Sequence, residues 1–280
     1  MAVVTNRDHL SYSEVLERLS RPAPERCASI QDNSSSSWDL NTNFDQARTF
    51  AQRGWVDKAA ELEGYMTSVN DLDYGGFQTS LDVTGECVDV GAFLAGEPEC
   101  MMSMAVPAKR SLTVIVNVSF SAGCDARHLL NRGIAVAAAV YALQCNGVSV
   151  SLKVGSWVDD HNGHIHETLI EVNQYGEYIS PARLAFWLAH PAALRRCIFR
   201  ISEHEPDDVR KRFGFYSGHG YGYPCDPPTD KTGDEGDSVF IPYPQLGNVA
   251  RYETPDIAFE EIRKILAEQG IELRQRNSYR

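Results

Sequence analysis

Leu112-Thr-Val-Ile-Val-Asn-Val118, the polar turn Ser119-Phe-Ser-Ala-Gly-Cys-Asp125 and the run Ala126–Cys145 form the stretch whose reading decides the fold. The first piece is rich in β-branched residues and has the length of a buried central strand. The third places Leu130, Ile134, Ala137 and Tyr141 at helical spacing, and Asn146-Gly147 supplies a C-terminal stop. Val148–Val158 reads as the next strand. Two strands joined by a long helix form a parallel pair, because only a crossover of that size returns the chain to the same edge.

Downstream, Asp159-Asp-His-Asn-Gly163 carries an Asn-Gly turn signal, and His164–Val172 alternates as a strand, so the two strands read as a hairpin. Ser180-Pro181 opens a helix through His190, and His190-Pro191 restarts a short one. Cys197–Ile201 reads as a strand, 214–237 as a long Gly- and Pro-rich loop, Ser238–Tyr243 as a short strand and Asp256–Gln269 as an amphipathic helix.

Upstream, Ser13–Leu19 has helical spacing after a serine able to cap it, and Arg21-Pro-Ala-Pro24 breaks the pattern. Ser34–Ser37 marks a polar linker. Asn43 caps a helix over Phe44–Arg53 that Gly54 ends, Asp57–Ser68 forms another, and Trp55 between them is expected to be buried. Gly75-Gly76 and Gly85 punctuate a mixed region in which Val88–Ala95 forms a helical turn or two before Gly96. The expected organisation is an N-terminal helix and linker over 1–42, a small helical or mixed subdomain over 43–110, an α/β domain over 111–273 and a polar tail over 274–280. The fold class is α/β: an open, mostly parallel, Rossmann-like sheet with flanking helices.

Composition narrows the function classes. The net charge of -12 argues against a general nucleic-acid coat, though a local basic patch is compatible with it. No run of eighteen apolar residues and no signal-peptide pattern is present, so a cytoplasmic protein with no membrane partner is expected. The seven cysteines include no pair separated by two residues, which disfavours a disulfide framework and a zinc knuckle.

The order strand, polar loop, long helix, strand, antiparallel partner and helix, with Asn117-Val-Ser119-Phe-Ser121 after the first strand, resembles the first half of a von Willebrand factor A domain. The resemblance covers roughly residues 110–270. It implies a divalent-cation site, Mg²⁺ by preference, at the sheet's C-terminal edge, held by Asn117, Ser119 and Ser121. The family has Asp where this chain has Asn117, and an amide oxygen brings no net charge to a hard cation. The same side chains can instead satisfy turn backbone and cap the helix. The overall character of the chain suggests a phage or mobile-element origin.

Two further constellations bear on chemistry. Asp159, His164 and His166 could bind a transition metal and serve a hydrolase or nuclease, or simply form a polar hairpin tip. Arg195, Arg196, Arg200, Arg210, Lys211 and Arg212 precede Tyr216, Tyr221 and Tyr223, a mixture that suits single-stranded nucleic acid or a protein partner. Acidic residues between 203 and 208 dilute that charge. Ser217-Gly-His-Gly-Tyr-Gly-Tyr223 matches no phosphate-loop pattern and reads as a binding loop. No catalytic set is complete. The expectation is therefore a non-catalytic binding or adaptor protein, such as a member of a replication or transcription complex, using loops at the sheet's C-terminal edge.

Overall fold

A computed structural model gives the fold and describes residues 3–31, 38–69, 78–82, 87–88, 90–105, 110–145, 147–177, 180–228 and 237–273. Ser34–Ser37, Gly75-Gly76, Gly85, Asn146, the stretch 229–236 and the tail 274–280 lie outside the described residues. In chain order the elements are β1 (Val3–Leu10), α1 (Tyr12–Ser20), α2 (Phe44–Arg53), α3 (Val56–Val69), β2 (Gln78–Asp82), β3 (Cys87–Val88), α4 (Val90–Leu94), β4 (Met101–Ala105), β5 (Ser111–Asn117), α5 (Ala126–Cys145), β6 (Ser149–Asp159) and β7 (His164–Asn173). There follow α6 (Pro181–Leu184), two π-helical stretches (Ala185–Ala189 and Ala193–Ile198), α7 (Phe199–Ser202), α8 (Asp207–Phe213), β8 (Tyr223–Pro224), β9 (Ser238–Ile241), a 3-10 segment (Leu246–Tyr252) and α9 (Pro255–Glu268).

The main sheet runs β1-β7-β6-β5-β9, with β8 added beside β6. β5 pairs parallel with both β6 and β9, and β6 pairs antiparallel with β7 as a hairpin. Six of the seven β5 residues are buried, as the β-branched run requires of a central strand. The sheet is mixed, mostly parallel and flanked by helices. A separate three-stranded sheet has the order β2-β4-β3.

The helix α5 is alanine-rich because other elements cover it. It packs against α3, α9, the stretch Ala185–Ala189 and the 3-10 segment, and Ala135, Ala137, Ala138 and Ala139 are all buried. Gly133 permits the closest approach: a Cβ there would lie 2.3 Å from the Cα of Ala189. At the far edge of the sheet, the Gln269 amide stands in for a neighbouring strand. Its oxygen accepts from the Phe240 N–H at 2.7 Å and its nitrogen donates to the Phe240 carbonyl at 2.8 Å.

Several expectations are corrected. Val3–Leu10 is a strand parallel to β7, which the sequence reading passed over. Its inward side includes Asp8, whose charge is neutralised by Arg18, so the strand lacks an apolar alternation. The helix α1 starts at Tyr12, and the serine that caps it is Ser11, in a capping box with Glu14. Cys197–Ile201 is helical rather than a strand; a short apolar run fits both, and this one is buried. The divisions expected at 42 and 110 do not separate the packing. Leu10, Ala47, Trp55 and Met66 belong to one core with Val114, Leu152 and Ile170.

A buried guanidinium organises the N-terminal connections. Arg196 and Asp39 are 1% and 0% exposed, so neither charge meets water. Arg196 donates to Asp39 through Nε at 3.1 Å and Nη2 at 2.6 Å, and to the carbonyls of Thr42, Ser29 and Gln31 at 3.0, 2.9 and 2.7 Å. A second buried group, His190, sits among Phe50, Trp55 and Phe186. Its Nδ1 accepts from the Ala192 N–H at 3.1 Å, and burial pushes its pKa down to about 3.

Arg196→Ala leaves the Asp39 carboxylate buried without its cation, and urea unfolding should show a loss of about 3–5 kcal/mol; an unchanged midpoint would contradict the assignment. For His190, the unfolded imidazole takes up a proton near its ordinary pKa of about 6.5. The folded one resists until about 3. Stability contributed by neutral His190 is therefore full above the unfolded value and is lost as pH falls through that window. His190→Phe should flatten the acid slope of the melting temperature between those limits.

Candidate functional site

The C-terminal ends of β5 and β6 lie at the same edge of the sheet because the strands are parallel. Open α/β sheets bind ligands at that edge. Here it carries a cleft of about 420 Å³. Its floor is Ser119–Ala122 after β5, together with Ser156 and Val158–Asp160 from β6. Its walls are Trp38, Leu194, Arg195, Phe199, the end of α8 (Lys211–Gly214) and the loop His219–Pro224.

Arg195 gives the cleft a fixed buried cation. Its guanidinium lies 3.8 Å from the Trp38 ring centroid and 4.4 Å from that of Phe120, and it donates to the carbonyls of Trp38 and Ser121. Burial brings its pKa down to about 10, so it stays charged at neutral pH. Lys211 and Arg212 are exposed at the rim and enter no ion pair among the described residues. Across the cleft, the backbone N–H groups of Asn162 and His164 and the His164 ring overcome the effect of burial and hold Asp160 down to about 2.

The loop 214–224 is set by one carboxylate. Glu203, fully buried, accepts from the Tyr221 hydroxyl at 2.6 Å, from the Ser29 N–H at 2.9 Å and from the Ser29 hydroxyl at 2.5 Å. The Tyr221 ring stacks on Phe199 with centroids 4.0 Å apart. Tyr221 adopts φ +56°, a conformation uncommon for a bulky residue. At Gly222, with φ +73°, a Cβ would lie 2.7 Å from Val158, so a side chain there would displace the loop from β6. Tyr223 pairs with Asp159 in the β8–β6 ladder and is 55% exposed, its ring stacked on His161 at 3.6 Å.

The six basic residues divide sharply. Arg195, Arg196 and Arg200 are buried and serve internal partners, which corrects their expected place on an open binding surface. Arg200 lies over the Phe44 ring and 3.9 Å from Glu203. Arg210 is partly buried, near Asp207 and the Glu25 carbonyl. Only Lys211 and Arg212 stand free at the rim. Of the tyrosines, Tyr223 is exposed, Tyr216 is partly buried beside His219, and Tyr221 is internal.

Neither metal set is gathered. Asn117 is fully buried; its amide nitrogen donates to the Cys225 carbonyl and to Asp226, and its oxygen accepts from the Ser119 N–H at 3.0 Å. The Ser119 hydroxyl faces Ser156 at 2.9 Å and accepts from the Trp157 N–H, while that of Ser121 accepts from Gly123. These oxygens serve the turn and do not fit a hard cation, which favours several convergent oxygens with carboxylate charge. In the hairpin, Asp159 contacts His161, His164 contacts Asp160, and His166 is buried against Phe213 and Phe215. Among the described residues, no group of three or more His, Cys, Asp or Glu side chains could hold a metal.

Sequence reasoning missed Trp38, Ser156 and the inward use of Arg195. Trp38 follows a serine-rich stretch that carries no periodic signal, and Arg195 sits in a helix whose packing decides its direction. His219 lies within the glycine-rich motif already read as a binding loop.

Tyr221→Phe removes a donor from Glu203 and an acceptor from the Ala28 N–H. It should lower stability by about 1–3 kcal/mol, read by thermal or urea unfolding.

Among described residues, no helix is long and apolar enough to cross a membrane. No curated protein and no solved structure matches the chain. The model of the family described as domain of unknown function DUF7192 matches residues 3–273, and the chain belongs to that family.

Proposed function

We propose that this chain is a non-catalytic binding module with a von Willebrand factor A-like core, and that the cleft at the sheet's C-terminal edge engages single-stranded nucleic acid. The observation that carries the reading is the meeting of two unpaired rim cations, Lys211 and Arg212, with the exposed ring of Tyr223 on one cleft. Phosphates pair with such cations, and unstacked bases find a platform on such a ring. The von Willebrand likeness draws support from the succession β5, α5, β6 and antiparallel β7, with the Asn117–Ser121 loop at the edge. The excess of acidic residues elsewhere would confine nucleic acid to this patch and repel it from the remaining surface.

The test is fluorescence anisotropy with a labelled single-stranded oligonucleotide over a salt series. The wild type is expected to bind at low salt. Replacing Lys211 and Arg212 by Ala should weaken binding at least tenfold, an order-of-magnitude expectation for two lost phosphate contacts. The slope of log K against log salt should fall by about 1.4, at ~0.7 per single-strand contact. No binding by the wild type at low salt would overturn the reading.

A further inference from the structure

We propose that the cleft is a mononucleotide-sized subsite, taking one phosphate against Lys211 and Arg212 and one base on the open face of Tyr223. The inference rests on the nucleic-acid reading above and specifies what that site holds.

Size is the first argument. A cleft of about 420 Å³ falls at the small end of the range for small-molecule sites, roughly 300–1,000 Å³. It suits a single nucleotide unit and excludes a duplex.

Polarity is the second. Lys211 and Arg212 line the α8 side, with His219 in the adjoining loop. Asp159 lines the β6 side, where Tyr223 is its partner in the strand ladder. Phosphate is drawn to the first side and repelled from the second, which fixes the direction in which a nucleotide lies.

Rigidity of the platform is the third. Tyr223 is held from behind by His161, at 3.6 Å and an interplanar angle of 28°, so a base on its open face would complete a three-ring stack. Asp159 Oδ1 is occupied by the His161 N–H at 2.8 Å and the His161 ring at 3.1 Å. Its second oxygen makes no hydrogen bond among the described residues, and offers an acceptor to an exocyclic amino group of a base.

The experiment is calorimetric titration of the full chain with adenosine monophosphate, adenosine and inorganic phosphate at low salt, alongside the single-stranded oligonucleotide. The nucleotide should bind at least tenfold more tightly than adenosine or phosphate alone. Tyr223→Ala should remove its advantage over phosphate while leaving phosphate binding unchanged. Replacing Lys211 and Arg212 by Ala should remove its advantage over adenosine. All the changed side chains are exposed, and circular dichroism checks that the variants fold. If the nucleotide binds no better than phosphate, or if Tyr223→Ala has no effect on it, the subsite is wrong. When the oligonucleotide still binds in that case, the nucleic-acid reading survives; when neither binds, both fall.

Discussion

A guanidinium removed from water must find its acceptors inside the protein, and Arg196 dictates the path of the chain around it. Its partners are a buried carboxylate and the carbonyls of Ser29, Gln31 and Thr42. A charge in that position tolerates no vacancy among them, because an uncompensated buried ion costs several kcal/mol. The N-terminal connection is therefore anchored at several points onto the helical stretch Ala193–Ile198. That anchoring brings Trp38 over the neighbouring Arg195, and the pair becomes one wall of the cleft. Glu203 fixes the facing loop in the same way, tying Ser29 and Tyr221 to α7 and its end. Two buried charges thus hold the irregular segments that a sheet alone would leave loose, and present Lys211, Arg212 and Tyr223 at the rim.

The α/β core was legible because it obeys local rules. The β-branched run at 112–118, the long apolar helix after it and the Asn-Gly turn each act through backbone preference or periodicity, and each forms the expected element. The helix over Phe44–Arg53 starts at Asn43, whose side chain accepts from the Gln46 N–H, and ends at Gly54. Elements stabilised by long-range charge were not legible. β1 faces inward through Asp8, which reads as solvent-exposed until Arg18 is known to lie beside it. The run at 197–201 is apolar apart from Arg200 and largely buried, and only its packing decides between strand and helix.

The candidate site shows the same division. The proximity of basic and aromatic residues in 195–223 pointed to a region that walls the cleft, and the glycine-rich stretch pointed to its loop. Composition could not tell which arginines face inward. Arg195, Arg196 and Arg200 fall on a buried helix and act as internal cations, whereas Lys211 and Arg212 fall at the solvent end of α8. The hairpin at 159–167 separates its histidines in depth: His164 stays partly exposed beside Asp160, and His166 goes under Phe213 and Phe215.

In the proposed function, ligand contacts gather at the C-terminal edge of β5 and β6. Backbone amide shift mapping of the isotope-labelled protein during titration with a short single-stranded oligonucleotide tests it most directly. The expected result is saturable shifts over Ser119–Ala122, Asp159–Asn162 and Lys211–Tyr223, with α9 and the 3-10 segment undisturbed. Shifts confined to α9 and the 3-10 segment would contradict it.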